Sequence, residues 1–112
     1  MDIAELQERA PVIRSQYALE ELRRYGRSWT PEEIMLGFLG DVGDLAQTCS
    51  GQGGHPRARR PRLSVAHELA DCLWSIFTLA DCYVVELEPA FITTMTQLSD
   101  HLSTLASAAE SR

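Results

Sequence analysis

Residues 67–81 read HELADCLWSIFTLAD, and whether this run is a strand or a helix decides the fold. Its apolar residues do not alternate. Leu69, Leu73, Ile76 and Ala80 recur at spacings of three and four, which is one stripe of an α-helix. Val65, Cys72, Trp74, Phe77 and Leu79 fill most of the remaining surface, leaving Glu68, Asp71, Ser75 and Thr78 as a narrow polar seam. A helix apolar nearly all round has to be covered on nearly every side. The run therefore predicts a helix from Ser64, as its cap, to about Cys82, inside an all-helical protein.

The flanking sequence reads the same way. WTPEEI, residues 29–34, is a helix start: Thr30 as N-cap, Pro31 in the first position, Glu33 completing a capping box. The helix it opens continues to about Cys49. An earlier helix spans about 12–25 and closes at Gly26, with a shorter helical piece before Pro11. Pro89 marks the first turn of a fourth helix, whose Phe91, Met95, Leu98, Leu102 and Leu105 form one continuous stripe. Residues 50–62, SGQGGHPRARRPR, hold three Gly, two Pro and four Arg and predict a flexible loop. Residues 106–112 predict a fraying tail. The whole chain, 1–112, is expected to form one domain.

Composition narrows the function classes. The 112 residues are 45% hydrophobic and 23% charged, with a net charge of −6. That balance excludes general binding to nucleic acid or to an anionic membrane, which needs a basic face. The N-terminus MDIAELQERA is acidic and polar, unlike a secretory leader. The longest apolar stretch contains Asp71 and is too short for a bilayer. Cys49, Cys72 and Cys82 are odd in number and lack CxxC spacing, so they predict reduced thiols in a cytoplasmic protein.

The polar seam has a counterpart. LGDVGDLAQ, residues 39–47, places Asp41 and Asp44 three apart in an apolar helix, as Glu68 and Asp71 are in the next. Two such seams facing each other gather four carboxylates. Buried carboxylates need cationic compensation, from arginines or from hard divalent ions. The competing reading, a solvated edge that keeps each helix soluble, is weakened because both pairs sit among apolar residues.

The two motifs, in this order and context, resemble the MazG-like all-α nucleoside triphosphate pyrophosphohydrolases, whose signature is an ExxE pair on one helix and an ExxD pair on the next. The resemblance covers about residues 28–96 and is similar to the small single-domain branch that includes the dCTP pyrophosphatases. It implies a four-helix bundle completed by dimerisation, as a homodimer or a dimer of dimers. It implies hydrolysis of a nucleoside or deoxynucleoside triphosphate to the monophosphate and pyrophosphate, with a possible sanitation role in the nucleotide pool. Mg²⁺ is the implied cofactor, with Mn²⁺ able to substitute. Asp41 and Asp44 would take the ExxE positions, and Glu68 and Asp71 the ExxD positions, as metal ligands. Asp41 and Glu68 would also direct the attacking water.

Two departures stand out. Both acids of the first motif are Asp, one methylene shorter than the family's Glu. The fourth helix has Thr94 where relatives carry Lys, and no basic residue in TTMTQLSDHL. The missing phosphate-binding charge could come from the loop, through Arg57, Arg59, Arg60 and Arg62, or from Arg23, Arg24 and Arg27. Either set could instead balance surface charge or the end of a helix. Trp29 is placed to stack on a nucleobase or to act as a hydrophobic staple, and Trp74 reads as core. His67 reads as a group beside the motif and not as a ligand. Two other readings stay open: a protein that binds nucleotide or metal without turnover, and a helical oligomerisation module.

Overall fold

A computed structural model describes residues 1–50 and 62–110, without the side chains of residues 62–64. The described residues form four helices and no strand: α1 (Ile3–Tyr25), α2 (Pro31–Ser50), α3 (Arg62–Cys82) and α4 (Leu87–Glu110). No described helix is long and apolar enough to cross a membrane.

Helix α1 is one helix where two pieces were expected. The Asp2 side chain accepts the Glu5 amide at 2.9 Å while Glu5 accepts the Asp2 amide at 3.3 Å, a reciprocal cap that starts the helix nine residues before Pro11. Pro11 removes one backbone donor, the one that would reach the Gln7 carbonyl, and the helix continues through it. Gly26, at φ 77°, closes α1 by donating to the Leu22 carbonyl at 2.9 Å. The start of α2 follows the capping box: Thr30 Oγ1 accepts the Glu33 amide at 3.2 Å and Glu33 Oε1 accepts the Thr30 amide at 3.1 Å. Helix α3 begins at Arg62, so Ser64 lies within its first turn and does not cap it. Helix α4 runs on to Glu110, through residues expected to fray. The expected loop lies largely in residues 51–61, outside the described residues.

Helices α2 and α3 pack most extensively against each other, α1 packs on α3, and α4 touches only the end of α1 to any extent. The bundle is therefore not closed by α4 within one chain. The radius of gyration, 18.4 Å, exceeds the roughly 13 Å of a compact chain of this length.

Burial runs opposite to the usual pattern. On α3, the polar seam points inward: Glu68, Ser75 and Thr78 are buried, while Leu69, Leu73 and Ile76 are 53%, 45% and 38% exposed. On α2, Ile34 and Thr48 are buried, while Met35, Leu39 and Val42 face out. No residue of α4 is buried, and its stripe from Phe91 to Leu105 lies open.

The turn into α4 carries local strain. Val85 donates to the Ala80 carbonyl at 2.8 Å and Val84 to that of Asp81 at 3.2 Å, the paired bonds of a Schellman end. Val84 fills the left-handed position, at φ 55°, which glycine normally holds. The Gln7 side chain fastens this turn to α1, donating to the Val85 carbonyl at 2.9 Å and accepting the Leu87 amide at 3.2 Å. Val84 is fully open to solvent, so removing its side chain forfeits no packing. Val84→Gly is expected to stabilise the fold by about 1 kcal/mol, read as a higher urea midpoint.

Candidate functional site

The two acidic pairs share one seam between α2 and α3. Glu68 is buried, while Asp41, Asp44 and Asp71 are half-buried. The Ser75 hydroxyl donates to Asp41 Oδ2 at 2.8 Å, tying α3 to α2 at the upper end of the seam. His67 Nε2 lies 3.2 Å from Asp71 Oδ2 at the exposed edge. Burial pushes the Cys72 thiol up from its usual range, and the negative charges of Asp41, Asp71, Glu68 and Asp44 push it further. All four carboxylates thus act on one thiol, and none points to the far side of the protein. Among the described residues, however, no three His, Cys, Asp or Glu side chains stand in a geometry that could hold a metal ion. The donors have the chemistry of a hard-cation site, being all oxygen and negatively charged. Their placement stops short of ligation.

A cleft of about 450 Å³ adjoins the seam. Tyr17, Tyr25, Trp29 and Trp74 line it with their rings, Ile34 and Gly37 form its floor, and Asp41 and Ser75 belong to its wall as well as to the seam. The Tyr17 and Trp74 rings pack at 5.4 Å between centroids, tilted by 44°. The Trp74 indole N–H donates to the Ala10 carbonyl at 3.4 Å, so Trp74 is cleft wall as much as core. The Trp29 ring passes 3.7 Å from where a Cβ on Gly37 would stand, so a larger residue there would crowd the indole.

The wall also holds an ion pair that the sequence reading did not single out. Arg14 donates to both oxygens of Glu21, at 2.5 and 2.8 Å, and Glu21 Oε1 also accepts the Trp29 amide at 2.8 Å. The side chains are only 17% and 8% exposed. The signal in the sequence was opposite charge seven residues apart on one helix, two turns along the same face as Tyr17. Ser75, too, was seen only as part of a polar stripe.

The predicted phosphate-binding cations fare differently. Arg57, Arg59 and Arg60 lie outside the described residues, as does the side chain of Arg62. Arg23 and Arg24 both pair with Glu20 on the surface, and Arg27 pairs with Glu33. None of these three is free to face the seam as it stands.

The carboxylate pairs fix an acid limit for the fold. Arg27 and the Thr30 amide hold the Glu33 carboxyl down to about 2. Burial raises Glu21, but hydrogen bonds from Arg14 and the Trp29 amide outweigh it and leave it below the ordinary range. A carboxyl held low in the folded state stabilises the fold above its unfolded value and loses that contribution as pH falls through its folded value. Urea midpoints are therefore expected to be flat from neutrality to about pH 5 and to drop between about 4.5 and 2. A midpoint that rises across that window would contradict these pairings.

Compared with protein-family models, with curated proteins and with solved structures, the chain matches none. The functional reading rests on the residues themselves.

Proposed function

We propose that the protein is a Mg²⁺-dependent nucleoside triphosphate pyrophosphohydrolase, with the nucleoside in the aromatic cleft and the triphosphate over the acidic seam. The observation that carries this reading is the continuity of the two: Asp41 and Ser75 line both. Flat apolar rings suit a base and a sugar, and crowded carboxylates suit the cations that accompany a triphosphate. Asp41, Asp44, Glu68 and Asp71 would hold Mg²⁺, which when bound supplies neutralisation of phosphate charge and a more acidic water. Ser75 holds one oxygen of Asp41 and leaves the other to orient water towards the α-phosphorus. Hydrolysis there releases the monophosphate and pyrophosphate. The test at this level is calorimetric titration with Mn²⁺: binding should be present in the wild type and absent in Asp41→Asn/Glu68→Gln. Equal binding by both proteins would remove the acids from the site.

One observation favours a second reading, binding without turnover. Arg23, Arg24 and Arg27 are engaged elsewhere, and residues 87–110 contain no Arg or Lys. Only a turnover assay separates the two.

The assembly proposed with this function is a homodimer, or a dimer of dimers. Its support is the inverted burial of α2 and α3 together with the open stripe of α4. Phe91, Ile92, Met95, Leu98, Leu102 and Leu105 are each between 41% and 62% exposed. An apolar patch of several hundred Å² is more than a monomer usually leaves in water. A second copy brings the same surface and so matches it in character. Light scattering is expected to give at least two chains of 12.5 kDa, about 25 kDa, and Leu98→Arg is expected to halve that mass. A fully monomeric wild type at micromolar concentration would refute the assembly.

A further inference from the structure

We propose that Arg14, locked in place by Glu21, selects the ring that the cleft accepts, admitting rings that present a carbonyl oxygen and disfavouring adenine; this rests on the cleft being the nucleoside site. Arg14 lines the cleft wall and is largely removed from water. Its guanidinium has five N–H donors and no acceptor. Two donors go to Glu21. The carboxylate is itself fixed by a third hydrogen bond, from the Trp29 amide, so the guanidinium plane is set before any ligand arrives. The donors left over can be satisfied only by an acceptor. A ring carrying a carbonyl supplies one, whereas the exocyclic amine of adenine offers a second donor against the first. A buried donor left without a partner is what makes such a site discriminate. Glu21 is then a positioning residue: it touches Arg14 and the backbone of Trp29 and acts on the ligand through them.

The chain has two tryptophans, and both line the cleft, so intrinsic fluorescence reports its occupancy without metal or turnover. Quenching would be titrated with adenosine, cytidine, uridine and guanosine, and with their monophosphates. The carbonyl-bearing nucleosides are expected to bind the wild type about tenfold more tightly than adenosine. Because a single change would strand a buried charge, the variant is Arg14→Gln/Glu21→Gln, which keeps a neutral hydrogen-bonded pair; its preference is expected to fall to near unity. Arg14→Lys, which keeps the charge but loses the planar fork, is expected to lose most of the preference as well. Nucleosides that all quench without preference, or a preference unchanged in the double variant, would overturn the role of Arg14 while sparing the cleft. An effect of the variants confined to monophosphates would make Arg14 a phosphate contact and overturn it too. No quenching by any nucleoside would sink both the proposal and the cleft reading.

Discussion

Asp71→Asn is expected to lower pyrophosphate release by about a thousandfold and to leave the fold as stable as the wild type, or more so. Losing one ligand of a catalytic cation forfeits several kcal/mol of transition-state stabilisation, and about 4 kcal/mol corresponds to three orders of magnitude. Stability moves differently because Asp71 is one of four carboxylates acting on the Cys72 thiol. Taking one charge from that crowd relieves repulsion, and asparagine keeps the shape of the side chain. The contact to His67 at the exposed edge is the only one recorded for Asp71 that the change weakens. Turnover and urea midpoint should therefore part company. A variant that unfolds, or one that keeps wild-type turnover with Mg²⁺, would make Asp71 a structural residue.

Arg14→Ala is expected to be the most destabilising change outside the apolar core, costing about 3 kcal/mol. It leaves the Glu21 carboxylate in a largely dry site with one of its three hydrogen bonds, that from Trp29. Breaking a well-buried pair by deleting one partner costs about 3–5 kcal/mol, and the partial exposure of Arg14 puts this case at the lower end. For a chain of this size that is a fall in Tm of more than about 10 °C. Arg23→Ala is the control. Its pair with Glu20 is exposed, and its loss is expected to change stability by less than about 0.5 kcal/mol. The difference between Arg14→Ala and wild type should also shrink as pH drops below about 4, where Glu21 takes up a proton in the variant first. Equal effects of the two alanine changes would show that burial adds nothing at Arg14.

How much of this was legible in the sequence depends on the range of the interaction. The start of α2 was readable because Thr30, Pro31 and Glu33 act within one turn. Helical periodicity likewise gave the class, all-α with four helices. The single α1 was missed because Pro11 drew more weight than the Asp2–Glu5 cap that starts the helix upstream. The direction of the α3 seam was misjudged in a more instructive way. Periodicity shows that Glu68, Asp71, Ser75 and Thr78 share a face, but it does not say which face a neighbour covers. In this chain the neighbour, α2, covers the polar one, and the apolar stripe of Leu69, Leu73 and Ile76 is left out. The cleft was half legible. Trp29 was singled out, whereas Arg14, Glu21 and Ser75 gain meaning only when α1, α2 and α3 come together. The acids converge on one seam, as the paired spacing led us to expect, but without the close approach that direct ligation requires.

The most direct test of the account is product analysis with a panel of deoxynucleoside and nucleoside triphosphates in the presence of Mg²⁺ or Mn²⁺. The account predicts that at least one of them yields its monophosphate and pyrophosphate in equal amounts, and that chelation of the divalent ion stops the reaction. Absence of pyrophosphate with every substrate, release of orthophosphate in its place, or turnover that persists in chelator would contradict it.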